Sequence, residues 1–147
     1  MQAIFTKDID AFLRDHHVMS LATVSDGSPW AASVFYAFDE DRGRLIYLSS
    51  KETRHGKAAL LNAEVAATIA RQELEIEKIR GLQISGFTVS LEGEDAVAAR
   101  TSFSKRFPDI DLQDAAIWSL VPDYIKMVDN SLGFGEKIIW PYPEAKG

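Results

Sequence analysis

The chain has 147 residues, a hydrophobic fraction of 46% and a formal charge of −6; it is long enough for one domain with a real core and too acidic for general nucleic-acid affinity, which rests on Lys and Arg neutralising phosphates. It contains no cysteine, which excludes disulfides, thiol catalysis and cysteine-ligated metals and suits a reducing cytoplasm. No stretch approaches the roughly 20 apolar residues of a membrane span, and the opening MQAIFTKDIDAFLRDHH lacks the basic start and apolar run of a signal peptide, so a cytoplasmic protein with no membrane partner is expected.

Residues 5–15 have the pattern of an amphipathic helix, with Ile9, Phe12 and Leu13 on one face. Val18 to Val24 reads as a strand. The run Ser25-Asp26-Gly27-Ser28-Pro29 is a hairpin signal, and Trp30 to Phe38 is the return strand. Asp39 to Arg44 is a polar turn with Gly43 available for a positive φ. Leu45 to Leu48 is a third strand, and Thr53 is placed to cap a helix from Arg54 to Asn62. Val65 to Ala70 is a fourth strand, followed by a turn at Arg71 to Glu73.

Leu74 to Leu91 is long and alternating, with a phase shift that predicts a bulge near Glu77–Lys78. Gly81 and Gly86 suggest the bending that barrels need. Glu94 to Phe107 reads as a helix with Ala96, Ala99, Phe103 and Phe107 on one stripe, ended by Pro108. Asp111 to Ala116 reads as a helical turn. Trp118–Val121 and Tyr124–Val128 read as strand pieces split by Pro122-Asp123, Asn130 to Gly135 as a loop, and Lys137 to Trp140 as a last strand. Short strands, consecutive hairpins and few helices predict a mainly β domain over 1–147: an antiparallel barrel with flanking helices. Residues 141–147 are expected to form a loose tail.

The strongest chemical signal is the segment Ser49-Ser50-Lys51-Glu52-Thr53-Arg54-His55. A phosphate monoester carries close to two negative charges and needs cations, hydroxyls and free N–H groups. Lys51 and Arg54 supply charge, and Arg54 can engage two oxygens at once. Ser49, Ser50 and Thr53 supply hydroxyls, and a helix start supplies unpaired N–H groups and a positive dipole end. A solvated helix start with an ordinary cap has the same pattern. Glu73, Glu75 and Glu77 read as a solvated strand face rather than a metal site. His16 and His17 read as a solvated junction between helix and strand. No Ser-His-Asp arrangement and no metal-ligand spacing is legible.

The order LATVSDGSPWAASVFYAFD, RLIYLSS, KETRHGKAALLN and VAATIA, with the later GLQISGFTVSLEGED, resembles the pyridoxamine 5′-phosphate oxidase-like split barrels, and the DNSLGFGEKIIW segment resembles a small bacterial subfamily of them. The resemblance implies a Greek-key-like split β-barrel that binds flavin mononucleotide (FMN). It places Ala32, Ser33, Val34 and Phe35 along the flavin ring; Ser49, Ser50, Lys51, Thr53, Arg54 and His55 around the phosphate or ribityl chain; and Gln83 near the flavin. It also implies a homodimer with the site between two subunits. Trp118, Phe134 and Trp140 are then candidates for the dimer surface or for stacking on the ring, and core positions are equally open to them. The Arg- and His-bearing segment with which the vitamin-pathway oxidase holds its substrate is not visible in WPYPEAKG, so pyridoxine-phosphate oxidation is not expected. Three readings stay open: an FMN-dependent oxidoreductase with a small-molecule redox partner, a non-enzymatic flavin carrier or sensor, and a haem- or deazaflavin-binding relative.

Overall fold

A computed structural model of the chain describes residues 2–112, 115–133 and 136–141. Helix α1 (Lys7–Asp15) starts where the Thr6 hydroxyl accepts the Ile9 N–H at 3.1 Å. Its Ile9, Phe12 and Leu13 are buried, as the periodicity predicts. Strands β1 (Val18–Ser25) and β2 (Ser28–Asp39) form a hairpin closed by Asp26 and Gly27, at φ 52° and 73°. Two consecutive positive φ values explain why Asp-Gly stands there. Strand β3 (Arg44–Leu48) completes the meander, helix α2 (Arg54–Leu61) crosses over, and β4 (Glu64–Ala70) returns beside β1. The spatial order β3-β2-β1-β4 is a Greek key.

Strand β5 (Arg80–Ser90), helix α3 (Gly93–Arg106), and strands β6 (Ile117–Asp129) and β7 (Lys137–Trp140) follow. Leu45–Leu48 of β3 pairs with Ile117–Leu120 of β6, which closes the barrel, while β7 pairs with the far half of β6. The fold is thus a mainly antiparallel split barrel with three α-helices among the described residues, as expected.

The interior is filled by Met19, Leu21, Tyr36, Tyr47, Ile69, Leu82 and Met127 among others, and α1 closes one end. There the Tyr36 hydroxyl donates to the Leu13 carbonyl at 2.9 Å. A smaller cluster packs Ala99 and Phe103 of α3 on Ala37, Ile46 and Ile117 outside the barrel. Arg44, buried between Asp39 (3.0 Å) and Asp95 (2.8 Å), ties α3 to the β2–β3 turn.

Three expectations are corrected. Leu74–Leu91 is not one strand: Ile76–Lys78 is a 3₁₀ turn and β5 starts at Arg80. Leu74 is wholly exposed and Ile76 largely so, so the apolar alternation there marked no buried face. The register break lies instead where Ser85 pairs with Tyr124 and Gly86 with Pro122, leaving Asp123 unopposed in β6. The bulge lets Pro122, which has no N–H to donate, sit inside one continuous strand. Gly86 is required there, because a Cβ would lie 2.3 Å from the Val121 carbonyl oxygen. Finally, Asp111, Leu112, Ala115 and Ala116 are not helical; Gln113 and Asp114 of that expected turn lie outside the described residues. So do Phe134, Gly135 and most of the expected tail.

Candidate functional site

The site is built where β3 hands over to α2. Ser49 is held from two sides: its N–H donates to the Ala116 carbonyl at 3.1 Å, and its own carbonyl accepts the Trp118 indole N–H at 2.9 Å. The chain then turns sharply. The Thr53 hydroxyl donates to the Ser50 carbonyl at 2.9 Å and accepts the Gly56 N–H at 3.0 Å, so one hydroxyl closes the turn and caps the helix. Gly56 permits this, since a Cβ there would lie 2.3 Å from the Ser50 carbonyl oxygen. The N–H groups of Arg54 and His55, in the first helical turn, have no intrahelical partner.

Inside this turn the hydroxyls converge on an imidazole. His55 Nε2 lies 2.6 Å from Ser49 Oγ and 3.4 Å from Thr53 Oγ1. Burial holds the His55 pKa below its ordinary value, which favours the neutral ring at neutral pH. Beside it opens a cleft of about 390 Å³, walled on one side by Ser33, Val34 and Phe35 of β2 and on the other by Ser49, Ser50, Thr53 and His55; Phe103 of α3 and Ile110 close it. Residues singled out from two distant sequence segments therefore meet in one cleft.

Arg54 and Lys51 flank this cleft rather than line it. The Arg54 guanidinium lies over the Trp30 ring, 4.0 Å from its centroid, in an adjoining cleft of about 520 Å³ that also holds Ser25, Ser28, Glu52 and Lys57. Among the described residues it forms no ion pair. Lys51 lies 3.7 Å from Glu92, both side chains being solvent-exposed, a contact of little net energy.

Four predicted residues do not join the cleft within one chain. Ala32 pairs with buried Leu21 and lies beside the lining positions. Gln83 stands on the outer face of the sheet, separated from Ser33 by Ser20 and Thr68, roughly 14 Å at the usual strand spacing. Trp118 is 1% exposed and lies nearly parallel to Tyr47, with centroids 6.1 Å apart. It is a core residue that props Ser49 from behind, the alternative the sequence left open beside a surface or ring-stacking role. Trp140 pairs with Ile125, eight positions along β6 from the Ile117 that meets Leu48, about 25 Å along an extended strand. It packs edge-on against Phe5 at 4.6 Å. Phe134 lies outside the described residues.

Two contributors escaped the sequence reading. Phe103 was assigned to the helix stripe, and that is also true: it belongs to the outer core while reaching the cleft. Trp30 was read only as a strand aromatic; no spacing rule links it to Arg54.

A family model for pyridoxamine 5′-phosphate oxidase matches residues 5–129. A UPF0306 protein from Yersinia pseudotuberculosis serotype O:3 (strain YPIII) is 41% identical over 132 residues, covering 90% of each chain. Among solved structures, a haem-binding protein from Mycobacterium smegmatis superposes with a TM-score of 0.68 at 22% identity, covering 88% of this chain and 55% of that one, so this chain spans little more than half of that protein. An FAD-binding protein from Mesorhizobium loti superposes with a TM-score of 0.67 at 14% identity, covering 82% of this chain and 89% of the other. With the model covering most of the barrel and a relative aligned nearly end to end, the chain belongs to the pyridoxamine 5′-phosphate oxidase family.

Proposed function

We propose that this chain is an FMN-binding protein that acts as a homodimer and oxidises or reduces a small molecule. One observation carries the reading: a single cleft joins Ser33–Phe35 of β2 to the hydroxyl-rich start of α2. The donor set suits a flavin with a terminal phosphate. Ser49 and Ser50 offer hydroxyls, Thr53 shapes the turn that presents them, the first turn of α2 offers unpaired N–H groups, and Arg54 offers a guanidinium that no carboxylate neutralises among the described residues. Gly56 lets the backbone close tightly enough to present them. The small Ser33 and the apolar Val34 and Phe35 suit the face of a planar ring.

When bound, FMN supplies hydride or single-electron chemistry. The chain's own work is to hold and orient it. His55, neutral and tied to Ser49, contributes hydrogen bonds rather than charge. Gln83, out of reach in one protomer, completes the site from a second copy.

The haem-binding and FAD-binding relatives of this fold define the rival outcomes. The absorption spectrum of purified protein separates them: flavin bands support FMN, whereas a Soret band without flavin overturns it. Bleaching by a reduced nicotinamide followed by reoxidation in air supports an enzyme. A bound flavin that reduced nicotinamides leave oxidised supports a carrier.

A further inference from the structure

The opposite end of the barrel holds a second, separate cluster. His16, expected to be a solvated junction residue, is only 9% exposed. It stacks on Phe12 with centroids 3.8 Å apart and planes 14° from parallel, and its Nδ1 meets the Phe12 carbonyl at 2.8 Å. A carbonyl only accepts, so Nδ1 carries a hydrogen and Nε2 is the atom left for another partner. The Arg80 guanidinium also lies over Phe12, 5.3 Å from its centroid. Phe12 thus sets both groups beside a cleft of about 180 Å³ that Arg71, Glu73 and Lys78 complete.

The cleft reverses the sign of the chain: three cations and one carboxylate line it, in a protein of charge −6. The partners of these groups are distributed unevenly. Arg80 is paired with Asp129 at 3.0 Å and Lys78 with Glu75 at 2.7 Å. The Glu73 carboxylate accepts the N–H groups of Leu74 and Glu75, at 3.0 and 3.2 Å. Arg71 has no hydrogen bond or ion pair among the described residues. A guanidinium without a partner, an imidazole with one free nitrogen and two further cations around one small cavity make a site for an anion with several acceptor oxygens. The volume lies below the usual range for drug-sized ligands, about 300–1,000 Å³.

We propose that this cleft, formed by His16, Arg71, Lys78 and Arg80, binds a small dianion of the phosphate class, as inorganic phosphate or as the phosphate of a small monoester. None of these residues lines the flavin cleft at the other end of the barrel, so the two sites fail or stand independently. The charged groups that act on His16 are Asp15 on its own helix end, Arg71 just after β4 and Arg80 at the start of β5. In the unliganded cleft, burial and those two arginines hold its pKa below the ordinary histidine value. A bound dianion reverses that balance and favours the imidazolium.

The test follows the three histidine ring resonances by NMR while inorganic phosphate, and in a second arm glycerol phosphate, is added at constant ionic strength. The expected result is a saturable shift of His16 with a rise in its pKa, with His17 unmoved. Arg71→Gln, at an exposed position, is expected to weaken that response about tenfold or more, as loss of a charge-assisted partner does. Saturation by only one probe identifies whether the free anion or the monoester is preferred, and either supports the site. A linear drift equal to that given by chloride, an undiminished response in Arg71→Gln, or a shift confined to His55 would each overturn it.

Discussion

Removing the Arg54 guanidinium is the sharpest probe of how the proposed cofactor is held. In the structure it rests on Trp30 at 4.0 Å and has no carboxylate partner among the described residues. A hydrogen bond to a charged group contributes about 1.5–3 kcal/mol. Arg54 is solvent-exposed, which places it at the lower end. Arg54→Ala is therefore expected to raise the FMN dissociation constant about tenfold, with the penalty shrinking as salt screens the charge. Riboflavin, which lacks the phosphate, should lose less than about twofold. Trp30 orients the guanidinium, a contact of about 0.5–1 kcal/mol at an exposed site, so Trp30→Ala should cost roughly two- to fivefold. Because Trp30 acts through Arg54, the double variant should match Arg54→Ala alone. Quenching of flavin fluorescence measures all eight constants. Equal losses for FMN and riboflavin refute the phosphate assignment, and additive losses refute the role given to Trp30.

Gly56→Ala puts a Cβ 2.3 Å from the Ser50 carbonyl oxygen; it should lower stability by about 1–3 kcal/mol, as overpacking does, seen as a reduced urea midpoint, and an unchanged midpoint contradicts the turn described. The folded-state pKa values of His16 and His55 are both depressed, chiefly by burial. The unfolded chain then takes up protons first on acidification, so stability present above the unfolded value of about 6.5 declines as pH falls through the folded values. Urea midpoints between about pH 7.5 and 5.5 should fall, and fall less in His55→Asn; a profile unaffected by that change excludes His55 as a contributor. Phe87→Asp, on the exposed outer face of β5, should leave the fold intact, convert a dimer to a monomer in sedimentation and weaken FMN binding; a monomer with full FMN affinity contradicts the shared site.

Much of the barrel was legible because its signals are local. Asp26-Gly27 dictates a two-residue turn with both φ positive, and Thr53 announces a capped helix. The errors fall where exposure or long-range pairing decides. Leu74 and Ile76 look like strand positions yet face solvent. The bulge opposite Gly86 depends on Pro122 in a strand more than thirty residues away. The two halves of the flavin cleft could be named separately, but only the Trp118 prop on Ser49 and the β2–β3 pairing bring them together. His16 was misread because its surroundings are set by Phe12 one helical turn earlier, by Arg71 just after β4 and by Arg80 at the start of β5.

The outer face of the sheet explains why a dimer is part of the proposal. Ser33, Ser20, Thr68 and Gln83 form a continuous row of small or polar side chains across β2, β1, β4 and β5. Around it stand exposed Val18, Phe35, Phe87, Val121 and Tyr124. Several large apolar groups exposed on one sheet face mark a surface suited to contact with another molecule. A monomer would leave that apolar rim hydrated and Gln83 without a role at the cleft. In the proposed dimer, pairing two such faces would cover these apolar groups, and Gln83 would reach a flavin site only from the second copy. The same packing would remove water from a flavin ring lying on Ser33–Phe35, strengthening every polar contact made to it. On this argument cofactor affinity and dimerisation are linked, and each should rise with the other's concentration.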